Sequence, residues 1–83
     1  MNRAAIRRSL RLLEGLSGAV TRVYLWHVSS ANNSGVSRDS QQHIAQQLGM
    51  SRETVTRAEA KLVDEDLVKL RTHGGRRTGV KIL

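Results

Sequence analysis

The fold of this chain is decided by residues 41–58, which read QQHIAQQLGMSRETVTRA. Ile44, Ala45 and Leu48 fall at positions i, i+1 and i+4, on one apolar face of a short helix. Gly49 follows where a helix end requires a left-handed residue, a conformation that glycine adopts at no steric cost. Ala45 is small enough for another helix to cross closely at that point. The stretch therefore predicts two short helices packed across a tight turn.

The second helix of this pair presents a polar face. Ser51 is placed to cap it, and Val55, Ala58 and Leu62 take its inward positions. We expect the helix to run from Arg52 to about residue 65. The exposed side chains are of types that reach base edges and phosphates, and they are Arg52, Glu53, Thr56, Arg57 and Lys61.

The composition favours a polyanionic partner. The 83 residues include 14 Lys and Arg against 7 Asp and Glu, which gives one small domain a net charge of +7. There is no cysteine, so disulfides and thiolate sites are excluded, as fits a reducing compartment. No apolar run is long enough to span a bilayer, and no secretory signal is visible. We therefore expect a cytoplasmic, nucleoid-associated protein and no membrane partner.

Two further helices are predicted ahead of the central pair. Over residues 3–14, arginines recur at i+4 opposite apolar residues, which indicates a basic amphipathic helix. The arginines of this helix are Arg3, Arg7, Arg8 and Arg11. They form either a second face that contacts phosphates or the solvated side of a helix whose apolar side makes a dimer, and we favour the second alternative. Ser17 is placed to cap a packing helix from residue 18 to about 30, with His27 on its apolar face. The predicted units are residues 1–16 and 17–83.

The last part of the chain predicts a hairpin. Apolar residues alternate with polar ones from Val68 to Thr72 and again from Val80 to Ile82, the period of strands. The residues between them, 73–78, read HGGRRT and predict a flexible basic tip that carries Arg76 and Arg77. Earlier in the chain, residues 31–35 form a loop, and Val36 begins a short extended segment.

These features together resemble a bacterial or phage winged helix-turn-helix domain, broadly of the MarR-like or GntR-like kind or the kind found in plasmid and phage replication proteins. The resemblance covers about residue 17 to the end. It rests on Ile44-Ala45, Leu48-Gly49-Met50-Ser51, Thr54-Val55, Leu62 and Leu67-Val68 leading into the glycine and arginine tip. It implies a mainly α fold with a small β-hairpin, and a recognition helix that enters the major groove of double-stranded DNA beside a basic wing.

Each candidate residue has a chemical role on such a surface. Arg52 and Arg57 can offer bidentate forks to guanine, and Thr56 can contact a thymine methyl group or a phosphate. Glu53 can accept from a cytosine amino group or simply stabilise the helix N-terminus, and both alternatives stay open. The residues at helix starts can hold phosphates, and they are Ser40, Gln41 and Ser51. The wing arginines Arg76 and Arg77 can enter a minor groove or grip its phosphates.

Other chemistry is not indicated. His27, His43 and His73 lack metal-ligand spacing, so we expect no metal, and His27 is interpreted as a hydrogen-bonded core residue. No pairing of nucleophile and base and no P-loop-type phosphate loop is present. We therefore expect neither enzymatic activity nor a cofactor, and no small-molecule effector is evident.

Three functions fit this sequence. The first is a sequence-specific DNA-binding transcriptional regulator, most simply a repressor. The second is an accessory DNA-binding protein of a plasmid, phage or mobile element, for replication, partition, transfer or excision. The third is a winged-helix module that binds protein. A homodimer through the first helix, with Leu25 and Trp26, is expected because twofold proteins match palindromic operators.

Overall fold

The computed structural model describes residues 17–83; the predicted helix over residues 3–14 and its dimerisation role lie outside the described residues. The described chain forms three helices and a three-stranded antiparallel sheet of order β1-β3-β2. The elements in chain order are α1 (Gly18–Ser30), β1 (Val36–Ser37), α2 (Gln41–Leu48), α3 (Arg52–Asp64), β2 (Val68–His73) and β3 (Arg76–Ile82). This is the predicted winged helix-turn-helix, mainly helical with a small sheet.

All three helices begin at a serine cap, as predicted. The hydroxyls of Ser17, Ser40 and Ser51 each accept a hydrogen bond from the backbone N–H three residues further on. Such caps satisfy N–H groups that have no partner inside the helix. Gly49 ends α2 in the left-handed conformation, with φ of 66°. The local chemistry therefore fixes where the helices start and how the turn between α2 and α3 bends.

The core is aliphatic and lies where the helices meet the sheet. Val23 from α1, Ile44 from α2, Val55 and Leu62 from α3, and Val80 from β3 are all completely buried. Helix α1 packs mainly against α3, and α2 also packs against α3 and buries Ala45. The inward face of α3 therefore contacts the other elements, which leaves its outer face to solvent.

The sheet differs from the predicted hairpin in two ways. The extended segment at Val36 is a third strand, β1, which pairs with β3 in the register Val36 to Lys81. The hairpin turn is only Gly74 and Gly75, both at positive φ, a conformation that glycine adopts without steric cost. The predicted six-residue flexible tip was therefore wrong, because Arg76 and Arg77 belong to β3.

No helix in the described range is long and apolar enough to cross a membrane.

Candidate nucleic-acid interface

A basic cleft of about 530 Å³ lies between the N-terminal ends of α2 and α3 and the start of β3. Four arginines line it, and we name it the arginine cleft after them: Arg38, Arg52, Arg76 and Arg77. Ser40 and Gln41, at the start of α2, line it as well, and no acidic residue does. The cleft thus collects five of the predicted site residues, with cationic guanidinium groups and polar groups at helix starts, which suits an anionic ligand such as phosphate.

The remaining predicted residues lie on or beside the outer face of α3. Glu53, Thr56, Arg57 and Lys61 are all exposed, and so is Ser51 at the cap. Arg57 donates to Glu53 over 2.5 Å, and Lys61 lies 3.1 Å from Glu65. Both ion pairs join residues four apart on one helix and are exposed, so each contributes little to stability. In the free protein Glu53 is paired with Arg57 in the first turns of α3, which supports a structural role beside its predicted base contact.

Thr56 and Gln41 join the two helices of the motif. The Thr56 hydroxyl lies 3.0 Å from the Gln41 Oε1 atom and 3.0 Å from the backbone carbonyl of Arg52, and it can donate to either. Gln41 in turn donates from Nε2 to Glu59 over 3.0 Å. Both side chains that were predicted to contact DNA therefore already have protein partners, and these contacts orient them along the edge of the cleft.

Arg77 is anchored rather than free. Its Nε donates to the Glu59 Oε1 atom over 2.8 Å, and its Nη2 donates to Oε2 over 2.7 Å, which makes a two-point contact. Its Nη1 donates to the backbone carbonyl of Asp39 over 3.0 Å. The side chain is only 16% exposed. The prediction that Arg77 extends from a mobile tip was wrong, because a buried carboxylate holds it against the body of the domain.

Glu59 is the centre of a buried polar network. Its side chain is 1% exposed, and its Oε2 lies 2.6 Å from His27 Nε2. Because the carboxylate can only accept, His27 Nε2 carries a proton; in the neutral imidazole, Nδ1 then accepts from the Ser37 hydroxyl at 2.8 Å. Burial alone would raise the pKa of Glu59, but hydrogen bonds from His27, Arg77 and Gln41 and the charge of Arg77 outweigh it and lower the pKa to about 2. The carboxylate is therefore ionised at neutral pH.

Sequence reasoning missed Glu59 and Arg38. Glu59 falls four residues after Val55 and three before Leu62, so a charged residue occupies the inward face of α3. That position, together with His27 on the inward face of α1, was the available signal for a buried pair. Arg38 had a weaker signal, since it comes two residues before the cap Ser40 and depends on the fold to reach the cleft.

His27 is the hydrogen-bonded core residue that the sequence predicts. His27 is completely buried and hydrogen-bonded on both ring nitrogens. His43 is exposed and makes a T-shaped ring contact with Trp26, with ring centroids 5.9 Å apart. Within residues 17–83, no group of three or more metal-ligating side chains comes together.

Comparison with known proteins agrees with this geometry. Residues 20–83 match the model of the Crp-like helix-turn-helix domain, which supports the predicted winged helix-turn-helix, whereas the MarR-like or GntR-like kind stays a prediction. No curated protein sequence matches the chain. Helix-turn-helix families of this type bind DNA and are typically not enzymes. Since the match spans most of its length, the chain belongs to the Crp-like helix-turn-helix domain family.

Proposed function

We propose that this protein is a sequence-specific binder of double-stranded DNA that represses transcription by occupying an operator. The single observation that carries the proposal is the position of the arginine cleft. The cleft lies next to the exposed face of α3, so one approach of a duplex brings base edges to α3 and backbone phosphates to the cleft. Family membership supports the same reading.

The candidate residues divide by the atoms they would contact. On α3, base edges are assigned to Arg52, Glu53, Thr56 and Arg57. The residues assigned to backbone phosphates are Ser40, Gln41, Ser51, Lys61, Arg76 and Arg77. Arg38 joins the phosphate group because it lines the same cleft. Specificity would then come from α3, and most of the affinity would come from the phosphate contacts.

The test begins with selection of bound duplexes from a random DNA pool. We expect an enriched site, and the affinity for it should fall as salt rises. The four cationic phosphate contacts of one protomer predict a slope of about −4 for log affinity against log salt. No enrichment together with a flat salt dependence would contradict DNA binding and support the alternative of a protein-interaction module.

Placing the enriched site over a promoter then tests repression. We expect reporter output to fall when the protein is present and to recover when the site is scrambled. Cooperative filling of tandem sites with no change in promoter output would instead support a plasmid, phage or mobile-element accessory role.

We also propose that the protein binds as a homodimer through the predicted helix over residues 3–14 and Leu25. Leu25 lies on α1 and is 50% exposed, so its side chain is accessible to a partner subunit. A twofold protein would select a palindromic site. A monomeric mass by light scattering at micromolar concentration, with a selected site that lacks symmetry, would contradict this.

A further inference from the structure

We propose that Glu59 is a positioning residue for DNA binding, because it holds Arg77 as a fixed phosphate donor at the edge of the arginine cleft. This inference rests on the proposed function. Glu59 is absent from the residues that line the cleft, whereas two of its partners, Arg77 and Gln41, are among them. Glu59 therefore cannot contact a phosphate in the cleft, and it can position one only through those partners.

The hydrogen bonds of Arg77 leave part of its guanidinium available. A guanidinium has five N–H groups. Two of them bind Glu59 and one binds the carbonyl of Asp39. The other two, one on each terminal nitrogen, have no partner within residues 17–83. Because the side chain still lines the cleft, these two N–H groups remain to serve an anionic ligand there.

The other three arginines of the cleft are held differently. Arg38, Arg52 and Arg76 are exposed, and their side chains make no hydrogen bond or ion pair within the described residues. Each must lose rotamer freedom when it binds DNA, whether at a phosphate or, for Arg52, at a base edge, and that loss reduces the net free energy of binding. Arg77 has already lost its freedom on folding, so its contact with DNA carries a smaller entropic cost.

Glu59 is itself held firmly enough to act in this way. His27 approaches it from α1, and Ser37 on β1 supports His27 from behind. Gln41 binds the same carboxylate oxygen as the Arg77 Nε atom. The carboxylate thus connects α1, α2, α3 and β3, and no buried side-chain nitrogen or oxygen of the described residues lacks a partner.

Charge and positioning predict opposite results when Glu59 is neutralised. Glu59→Gln removes one negative charge, and from charge alone a more positive protein should bind DNA more tightly. Loss of the two-point contact releases Arg77, and from positioning alone binding should weaken. The sign of the change therefore separates the two explanations.

The first experiment compares Glu59→Gln with Glu65→Gln, in the full chain, on the selected duplex and on a random duplex of equal length. Glu65→Gln removes the same charge from the C-terminal cap of the same helix and lies outside the network. It also releases Lys61 from an exposed ion pair, a change that favours DNA binding rather than opposing it. We expect Glu59→Gln to bind both duplexes about three- to tenfold more weakly. Glu65→Gln should bind as the wild type does or slightly more tightly. Tighter binding by Glu59→Gln would overturn the inference.

A second comparison keeps the charge and covers the case in which Glu59→Gln fails to fold. Arg77→Lys retains the cation but cannot make the two-point contact, whereas Arg71→Lys makes the same exchange at an exposed position on β2. We expect about three- to tenfold weaker binding for Arg77→Lys and no change for Arg71→Lys. Circular dichroism would show that both variants are folded. Equal affinities for the two would overturn the inference, whereas a wild type that binds no duplex would contradict the proposed function itself.

Discussion

The exposed contact between Arg57 and Glu53 must compete with DNA for the same guanidinium. The two side chains are 78% and 69% exposed, so their pairing is worth about 0.3–0.5 kcal/mol. A bidentate contact between arginine and guanine contributes about 1–3 kcal/mol of discrimination. The base contact is the stronger of the two, and Arg57 is therefore expected to turn from Glu53 to the base or to share its donors between them.

Replacing Arg57 by Ala should cost about 1–3 kcal/mol on the selected site and much less on random duplex. Arg76→Ala, at the cleft, should weaken binding to both duplexes similarly, because phosphates carry no sequence information. Fluorescence anisotropy titrations on the two duplexes measure both changes. Equal losses for both variants on both duplexes would contradict this division.

Single residues were predictable where helix periodicity alone sets their direction. Arg52, Glu53, Thr56 and Arg57 were expected on the outer face of α3, and the structure finds all four exposed. Arg77 was not predictable in this way, because its partner Glu59 lies 18 residues away in sequence and meets it only through the tertiary fold. The sequence identified the residue types at the cleft but not which of them is anchored.

At the scale of elements, the junction of β1 and β3 depends on a close approach of two backbones. Gly79 is buried, and a Cβ built on it would lie 2.6 Å from the carbonyl oxygen of Ser37. That oxygen belongs to the backbone and cannot turn away as a flexible side chain could. The pairing of β1 with β3 therefore requires a residue without a side chain at position 79.

Gly79→Ala should destabilise the domain by about 1–3 kcal/mol, because β1 must move away from β3 to admit the methyl group. Urea unfolding followed by circular dichroism measures the loss. Gly18→Ala is the matched control, since a Cβ there meets no atom of residues 17–83 within 4 Å and alanine favours a helix. A change for Gly79→Ala no larger than that for Gly18→Ala would show that the strands tolerate the methyl group.

A helix or strand was predictable from the sequence when the residues that define it are close neighbours in the chain. The helices combine a serine cap with apolar periodicity, and their bounds match the prediction to within a residue or so. Strand β1 has only two residues, and its pairing with β3 joins Val36 to Lys81, far apart in sequence. Such pairing depends on the packed core, and a two-residue strand is too short to show the alternation of apolar and polar residues that predicts a strand.

At the scale of the whole molecule, one carboxylate ties four elements together, so stability should depend on its ionisation. The pKa of Glu59 is about 2 in the folded chain, against 4.5 as its ordinary value. The unfolded chain therefore takes up a proton at a higher pH than the folded chain does. The stabilisation is complete above about pH 4.5 and is lost as pH falls towards about 2.

The free energy of unfolding should accordingly be about 2 kcal/mol lower at pH 3 than at pH 7 through Glu59 alone. Urea titrations at the two pH values measure the total difference, to which other carboxyl groups also contribute. Glu59→Gln keeps those other groups, so the variant should lose less stability between pH 7 and pH 3 than the wild type does. The same loss of stability in both proteins would show that Glu59 does not control the fall in unfolding free energy at acid pH.

The surroundings of Trp26 have a practical consequence. Trp26 is the only tryptophan of the chain, and its indole N–H donates to the Asp39 carboxylate over 3.0 Å. Asp39 also binds Arg77 through its carbonyl and lies between Arg38 and Ser40 in sequence. A native fluorophore therefore lies close to the contact between Asp39 and Arg77 of β3. Its emission reports events there without an attached dye and without the signal of a second tryptophan.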